Sequence, residues 1–479
     1  MIIMINNTKD LETMKADFID DEAINEALEK GKNISEEGIR EIFAKARQAR
    51  GLDLDDVASL LYCEDDELLN EMYSIAHELK KKIYGNRIVL FAPLYYSDYC
   101  INNCRYCGYR RDNKNPRRRL SMDEVRSEVQ ILEDMGHKRL ALEAGEDPVN
   151  CPIDYTLDVI KTVYDTKLKN GSIRRVNVNI AATTVENYRK LKDVGIGTYI
   201  LFQETYHRPT YKYMHPSGPK SDYDYHTTAM DRAMAGGIDD VGIGVLFGLY
   251  DYKYEVLALL QHAQHLDKVY GVGPHTISFP RIRPAAGISM ENFPNLVPDR
   301  EFKKIVAVVR LAVPYTGMIL STRERPDFRD EVIDVGISQI SAGSCTGVGG
   351  YHDEISHKES SRDHAPQFEV SDHRTPNEVL LSLCMRGYLP SYCTACYRQG
   401  RTGDRFMQLA KTGNIQNCCL PNAILTFKEF LMDYAEPRLR EKGERAIQES
   451  LEQIPNPAIR QKTVERLARI EQGERDLYF

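Results

Sequence analysis

The chain reads as an α/β protein built on a closed (β/α)8 barrel of the TIM type, with helical segments at both ends. Three observations lead there. Between residues 87 and 345, short β-rich runs alternate eight times with amphipathic helical runs, and eight is the count that closes a parallel barrel. Polar residues collect where those runs end, at Glu146, Gln203, Glu204, Arg281, Arg283, Arg323 and Ser344, as groups lining the C-terminal mouth of a barrel would. The flanking regions lack such alternation and carry apolar residues at helical spacing. An open, doubly wound sheet is the alternative architecture, and eight repeats favour closure over it.

Residues 1–86 form a charged helical extension. Runs at 20–31, 35–50 and 54–85 each open on acidic or Ser caps and continue with helical periodicity. Cys63, alone in an apolar helix, reads as a packed thiol. The predicted strands follow at 88–96, 139–146, 175–182, 198–205, 241–248, 275–284, 317–324 and 339–345. Helices at 121–136, 184–195 and 326–336 are among those between them. Arg117–Arg119 reads as a solvated loop face rather than a phosphate track. From about 346 to 380 the chain is polar; His352, His357, His364 and His373 show no ligand spacing there and read as a solvated loop. The expected domains are therefore 1–86, a barrel over 87–378, and a helical C-terminal domain over 379–479.

Composition excludes several function classes. The 479 residues carry a net charge of −8, which argues against a nucleic-acid binder. No apolar run approaches the roughly twenty residues that span a bilayer. Eleven cysteines without an export signal point to a reducing cytoplasm and to metal chemistry.

The cysteines fall in two sets. Cys100, Cys104 and Cys107, in YCINNCRYCGY, follow the first predicted strand, so they sit at the barrel mouth. Thiolates hold iron–sulfur clusters, and a cubane normally takes four, so three leave one iron open to a further ligand. A zinc site would show four ligands, and a disulfide framework belongs to small secreted chains. The second set reads as Cys-x2-Cys-x22-Cys, through Cys393, Cys396 and Cys419, again one ligand short of a cubane. Cys418 leaves the third ligand open, and zinc bound by all four remains the competing assignment.

The first spacing is that of the radical S-adenosylmethionine (SAM) superfamily, with Tyr106 where an aromatic usually stands. Across nearly its whole length the chain resembles the tyrosine lyases of FeFe-hydrogenase maturation, in EAGE, SFPRIRPAAG, STRERPDFRD, SAGSCTGVGGY and QFEVSDHRTPNEV. The radical SAM part also resembles 2-iminoacetate synthase of thiamine biosynthesis. The resemblance implies two 4Fe–4S clusters, the second with a fifth, labile iron linked through free cysteine. At the first, SAM would yield a 5′-deoxyadenosyl radical that cleaves the Cα–Cβ bond of L-tyrosine to p-cresol and dehydroglycine. At the second, dehydroglycine would become the CO and cyanide of an iron synthon.

The resemblance also suggests roles. Glu146 matches the position that holds the SAM amino group. Glu204 and Arg208 are candidates for its ribose and carboxylate, and Gly242, Gly244 and Gly248 for close backbone approach to adenine. Arg323 is the candidate cation for the tyrosine carboxylate, with Ser321, Ser341 and Ser344 as nearby donors. Arg325 reads as a surface ion pair. His275, at the start of the sixth predicted strand and so at the barrel floor, is the candidate nitrogen ligand of the labile iron. The barrel interior would then connect two active sites. His262 and His265, on the preceding helix, are expected to be exposed. Implied partners are a reductant such as ferredoxin or flavodoxin and other hydrogenase maturation proteins. A lyase that stops at dehydroglycine and a non-catalytic cluster carrier remain the alternatives.

Overall fold

A computed structural model describes residues 8–356, 365–412 and 414–479. Its centre is a barrel of eight parallel strands: β1 (Arg87–Ser97), β2 (Arg139–Ala144), β3 (Arg175–Asn179), β4 (Tyr199–Ile200), β5 (Val241–Gly244), β6 (Thr276–Ser278), β7 (Gly317–Leu320) and β8 (Gln339–Ser341). Each pairs with the next, and β8 returns to β1 with Gln339 opposite Val89, which closes the ring. All eight predicted strands are present, several of them shortened at the mouth. The fourth run keeps only two strand residues, Tyr199 and Ile200, and beyond them Glu204 turns the chain with a φ of +69°.

Side chains alternate across a strand, so one set of alternate residues faces the barrel interior. Along β1, Phe91, Pro93 and Tyr95 line an internal cavity, and Val89 lines another nearer the floor. On β2 the same register turns Arg139, Ala141 and Glu143 inward. From Arg139 to Ala144 is about 17 Å of strand, which sets the scale of the barrel interior.

A ninth strand, β9 (Leu389–Ser391), was not foreseen in the helical C-terminal segment. It pairs in parallel with Arg87–Val89 at the lower end of β1. β1 is eleven residues long and protrudes past its neighbours, so β9 covers an otherwise open edge. That pairing brings Cys393, two residues on, beneath the barrel.

The N-terminal run at 54–85 is two helices, Leu54–Leu61 and Asp66–Tyr84. Asp65 breaks the run by capping the second helix, accepting from the Glu67 and Leu68 amides. The extension covers the helix Tyr252–Tyr270, and this corrects the expected exposure of His262 and His265. His262 is 3% exposed and lies 2.9 Å from Tyr206 Oη. His265 stacks on Phe18 and reaches Asp231 at 2.8 Å. A helix face that looked solvated in isolation is roofed by residues far away in sequence.

Arg117–Arg119 is likewise not a free face: Arg117 donates to the Asp98 carbonyl, Arg118 pairs with Glu124 and Arg119 donates to the Asn150 carbonyl. Of the four polar-loop histidines, His357 and His364 lie outside the described residues. Among those described, no three His, Cys, Asp or Glu side chains converge closely enough for a single metal ion, and no helix is long and apolar enough to cross a membrane.

Candidate functional site

The mouth site is assembled where β1 runs into the cysteine loop and β2 ends against it. The Gly145 amide donates to the Ser97 carbonyl, and Ile101 N donates to the Glu146 carbonyl. A Cβ at Gly145 would collide with the Tyr99 carbonyl and meet Cys100 Cβ at 3.0 Å, so only glycine allows this approach. Glu146 is fixed by Asn102 Nδ2, at 2.5 Å.

Cys100, Cys104 and Cys107 line one cavity together with Tyr106, Glu146, Glu204 and Arg323. Tyr106 packs over the loop, its hydroxyl 2.8 Å from His215 Nε2. Burial pushes all three thiols up, Cys107 to about 11, so iron binding would have to displace their protons. Burial also raises Glu146.

Two functional groups escaped sequence reasoning. Lys220 lines the same cavity, with Nζ 2.8 Å from Glu204 Oε1. Burial works against its charge, but Glu204 together with Cys104 and Cys107 outweighs it and holds the ammonium above the ordinary lysine range. Its turn, GPKS, carries no motif; what places it is Asn102 Oδ1 accepting from the Lys220 amide. Glu143 lies further in. Burial raises it to about 8 despite the opposing pull of Arg323. The alternation through EAGE was the available signal: Glu143 shares the inward register of Arg139 and Ala141.

Arg323 lines both the mouth cavity and the internal cavity below it, its guanidinium 3.3 Å from the Phe368 ring centroid. Ser321, Ser341 and Ser344 line only the internal cavity. The Ser344 hydroxyl is buried without a partner, while Ser341 Oγ accepts from the Thr322 amide. Arg325 forms a surface pair with Asp299.

Four residues expected beside SAM stand outside the lining of the mouth cavity. Arg208 does not line the mouth cavity; it is tied to Asp224 at 3.0 Å on an outer face. Gly242 and Gly244 do not line it either. A Cβ at Gly242 would sit 2.5 Å from Thr276 Oγ1, and one at Gly244 would sit 2.9 Å from the Ser278 carbonyl, so these glycines answer crowding between strands. Gly248, with φ +119°, is crowded by Ile282.

At the floor a separate cavity is lined by Cys393, Cys396, Cys419 and His275, with Arg87 and Arg139 beside them. A hydrogen bond between Cys396 and Cys419 raises the first thiol and lowers the second, leaving Cys419 the more ready thiolate. Cys418 does not line the cavity. Adjacent residues on the helix Gln416–Asp433 point about 100° apart, so only one of the two faces inward. His275 Nδ1 stands 3.5 Å from Asp240 Oδ1. The internal cavity shares Glu143, Asn179, Phe202, Arg323, Gln367 and Phe368 with the mouth, and no lining residue with the floor.

Comparison with known proteins decides the family. The Radical SAM superfamily model matches residues 94–263, and the Biotin and Thiamin Synthesis associated domain matches 278–389. A crystal structure of HydG, described as a maturase of the FeFe-hydrogenase, is 68% identical. It covers 97% of this chain and all of its own, with a TM-score of 0.94. The chain belongs to the radical SAM maturases of FeFe-hydrogenase. HydG from Carboxydothermus hydrogenoformans is 38% identical over 96% of the maturase and 99% of its own chain, with a TM-score of 0.80. The 2-iminoacetate synthase of Salmonella typhimurium is 31% identical over 347 residues, 72% of the maturase and 88% of its own length. Membership implies a 4Fe–4S cluster and SAM. The mouth fits both: three soft donors in one cavity, and a carboxylate and an ammonium beside them.

Proposed function

We propose that the maturase cleaves L-tyrosine at the mouth and converts the dehydroglycine fragment to CO and cyanide at the floor, building an iron–CO–cyanide synthon. The observation that carries this reading is the placement of two three-cysteine sets at opposite ends of one barrel, with an internal cavity between them. When bound at Cys100, Cys104 and Cys107, the cluster and SAM supply a 5′-deoxyadenosyl radical on one-electron reduction. The protein's own residues orient and enclose. Glu146 accepts from the SAM ammonium, and Glu204, held by Lys220, meets the ribose. Lys220 takes the place expected of Arg208 beside the SAM carboxylate.

Arg323 takes the tyrosine carboxylate, because its guanidinium is anchored on Phe368 and faces both connected cavities. Ser321 and Ser344 stand below it as hydroxyl donors. Hydrogen abstraction requires near contact, so this positioning carries much of the acceleration. Cys393, Cys396 and Cys419 would hold the second cluster. His275 would offer a nitrogen to a labile iron there, with free cysteine as a further ligand.

Between the internal and floor cavities lies a layer of Gly242 and Thr276, with Gly317 and Gln339 on its lower side lining the floor cavity, and the two glycines leave room for the neighbouring polar side chains. The fragment crosses this layer. A lyase that stops at dehydroglycine would leave the floor set without a role. Reconstituted protein with SAM, dithionite and tyrosine is expected to yield p-cresol, 5′-deoxyadenosine and CO. Absence of p-cresol overturns the proposal.

A further inference from the structure

The cysteine loop continues into the most basic segment of an acidic chain. Residues 105–119, RYCGYRRDNKNPRRR, carry seven cationic side chains and one carboxylate, in a protein of net charge −8. Part of that charge is consumed locally: Arg117, Arg118 and Arg119 hold loop carbonyls or Glu124. The side chains left outward are Arg105, Arg111 and Lys114, all exposed. Asp112 is the one opposing carboxylate and stays 3.7 Å from Arg111.

Next to these lies an open groove whose lining includes Arg105, Arg208, Lys212 and Tyr213 and contains no carboxylate. Asp224, which pairs with Arg208, stands behind the lining. Tyr213 is 55% exposed, a large aromatic left in solvent, and the Arg105 guanidinium lies 4.3 Å from its ring centroid. Exposed tyrosine paired with arginine is the residue chemistry of protein–protein hot spots. The inner wall of the groove includes His215, which contacts Tyr106 between Cys104 and Cys107. The groove is therefore separated from the cluster loop by a single packed layer.

We infer that this face, centred on Arg105, Tyr213, Arg111 and Lys212, is the docking surface for an acidic one-electron carrier protein that reduces the mouth cluster. The inference rests on the radical SAM reading, in which one electron must enter at this end of the barrel. In the transfer, a flavin hydroquinone gives up one electron to become a semiquinone, and the oxidised cluster gains that electron. Charge complementarity selects the carrier and raises its association rate, while Tyr213 and Arg105 supply the short-range contact. A small anionic reductant such as dithionite needs no such surface.

The test uses the reconstituted holoprotein and flavodoxin, itself acidic, as the probe. Binding of oxidised flavodoxin is followed by calorimetric titration at low and moderate ionic strength. Cluster reduction by flavodoxin hydroquinone and by dithionite is followed by stopped-flow absorbance. The parent protein is expected to bind flavodoxin with an affinity that falls as salt rises. R111E/K212E is expected to weaken binding at least tenfold and to slow reduction by the hydroquinone in proportion, with the dithionite rate unchanged. Y213A is expected to weaken binding without altering its salt dependence. Absence of binding by the parent, or full binding and hydroquinone reduction by the double variant, overturns the inference. A dithionite rate lost together with the hydroquinone rate also overturns it, since the substitutions would then have damaged the cluster site. Dithionite-driven p-cresol formation tests the proposed function separately.

Discussion

Arg323 is the residue on which the proposed tyrosine binding turns. Its guanidinium is half-buried over Phe368, and desolvation lowers its pKa from the ordinary arginine value, so a carboxylate partner would be welcome there. Arg323→Lys keeps the charge but loses the planar fork and the stacking on Phe368. The KM for tyrosine is expected to rise at least tenfold in steady-state p-cresol assays, while SAM affinity stays within twofold. Lys220→Met should do the reverse, weakening SAM in equilibrium binding and leaving the tyrosine KM little changed. Glu143 and Lys220 show the limits of motif reading. Lys220 belongs to no motif and reaches its cavity through a loop contact distant in sequence, and Glu143, although it opens EAGE, is turned inward by strand register. Cysteine, by contrast, is legible wherever it recurs at ligand spacing, because few other roles require three thiols together.

At the scale of elements, the strands were readable because a buried parallel strand needs a short apolar run between turn signals. The ninth strand was not, since Leu389–Ser391 is three residues long and acquires its identity only from the protruding edge of β1. The helix Tyr252–Tyr270 misled in the opposite direction. Its polar residues suggested solvent, but His262 is a neutral imidazole enclosed beneath the N-terminal extension. Burial lowers its pKa from 6.5 to about 3. The unfolded chain therefore binds the extra proton between these values, and stability rises with pH across that window and is lost as pH falls through it. Between pH 6.5 and 5.5 this contribution amounts to about 1 kcal/mol. Urea unfolding of His262→Gln is expected to show a correspondingly shallower acid slope than the parent. In the barrel wall, Gly242→Ala places a methyl against Thr276 in the layer between cavities. That variant is expected to keep p-cresol formation and to lose most CO, read by trapping CO with deoxyhaemoglobin.

At the scale of the whole molecule, the C-terminal segment is not a detachable appendage. β9 extends the barrel sheet, Arg139 donates to the Tyr397 hydroxyl, and Arg174 pairs with Glu429, so removing residues 379–479 would strip an edge and leave buried cations unpaired. Point substitution of the floor cysteines is therefore the cleaner way to silence that end. The barrel and its mouth were legible because alternation and the Cys-x3-Cys-x2-Cys loop are local patterns. The meeting of Cys393 and Cys396 with Cys419 and His275 was legible only as an implication, because it requires β9 and the helix Gln416–Asp433 to converge under the barrel. The proposed chemistry places two steps at opposite ends of one barrel, and the product set of C393S/C396S, reconstituted and given SAM, dithionite and tyrosine, separates them. p-Cresol and 5′-deoxyadenosine are expected near parental levels with CO absent; CO at parental levels, or loss of p-cresol from a variant that retains its SAM-sensitive cluster signal, would overturn the two-ended arrangement.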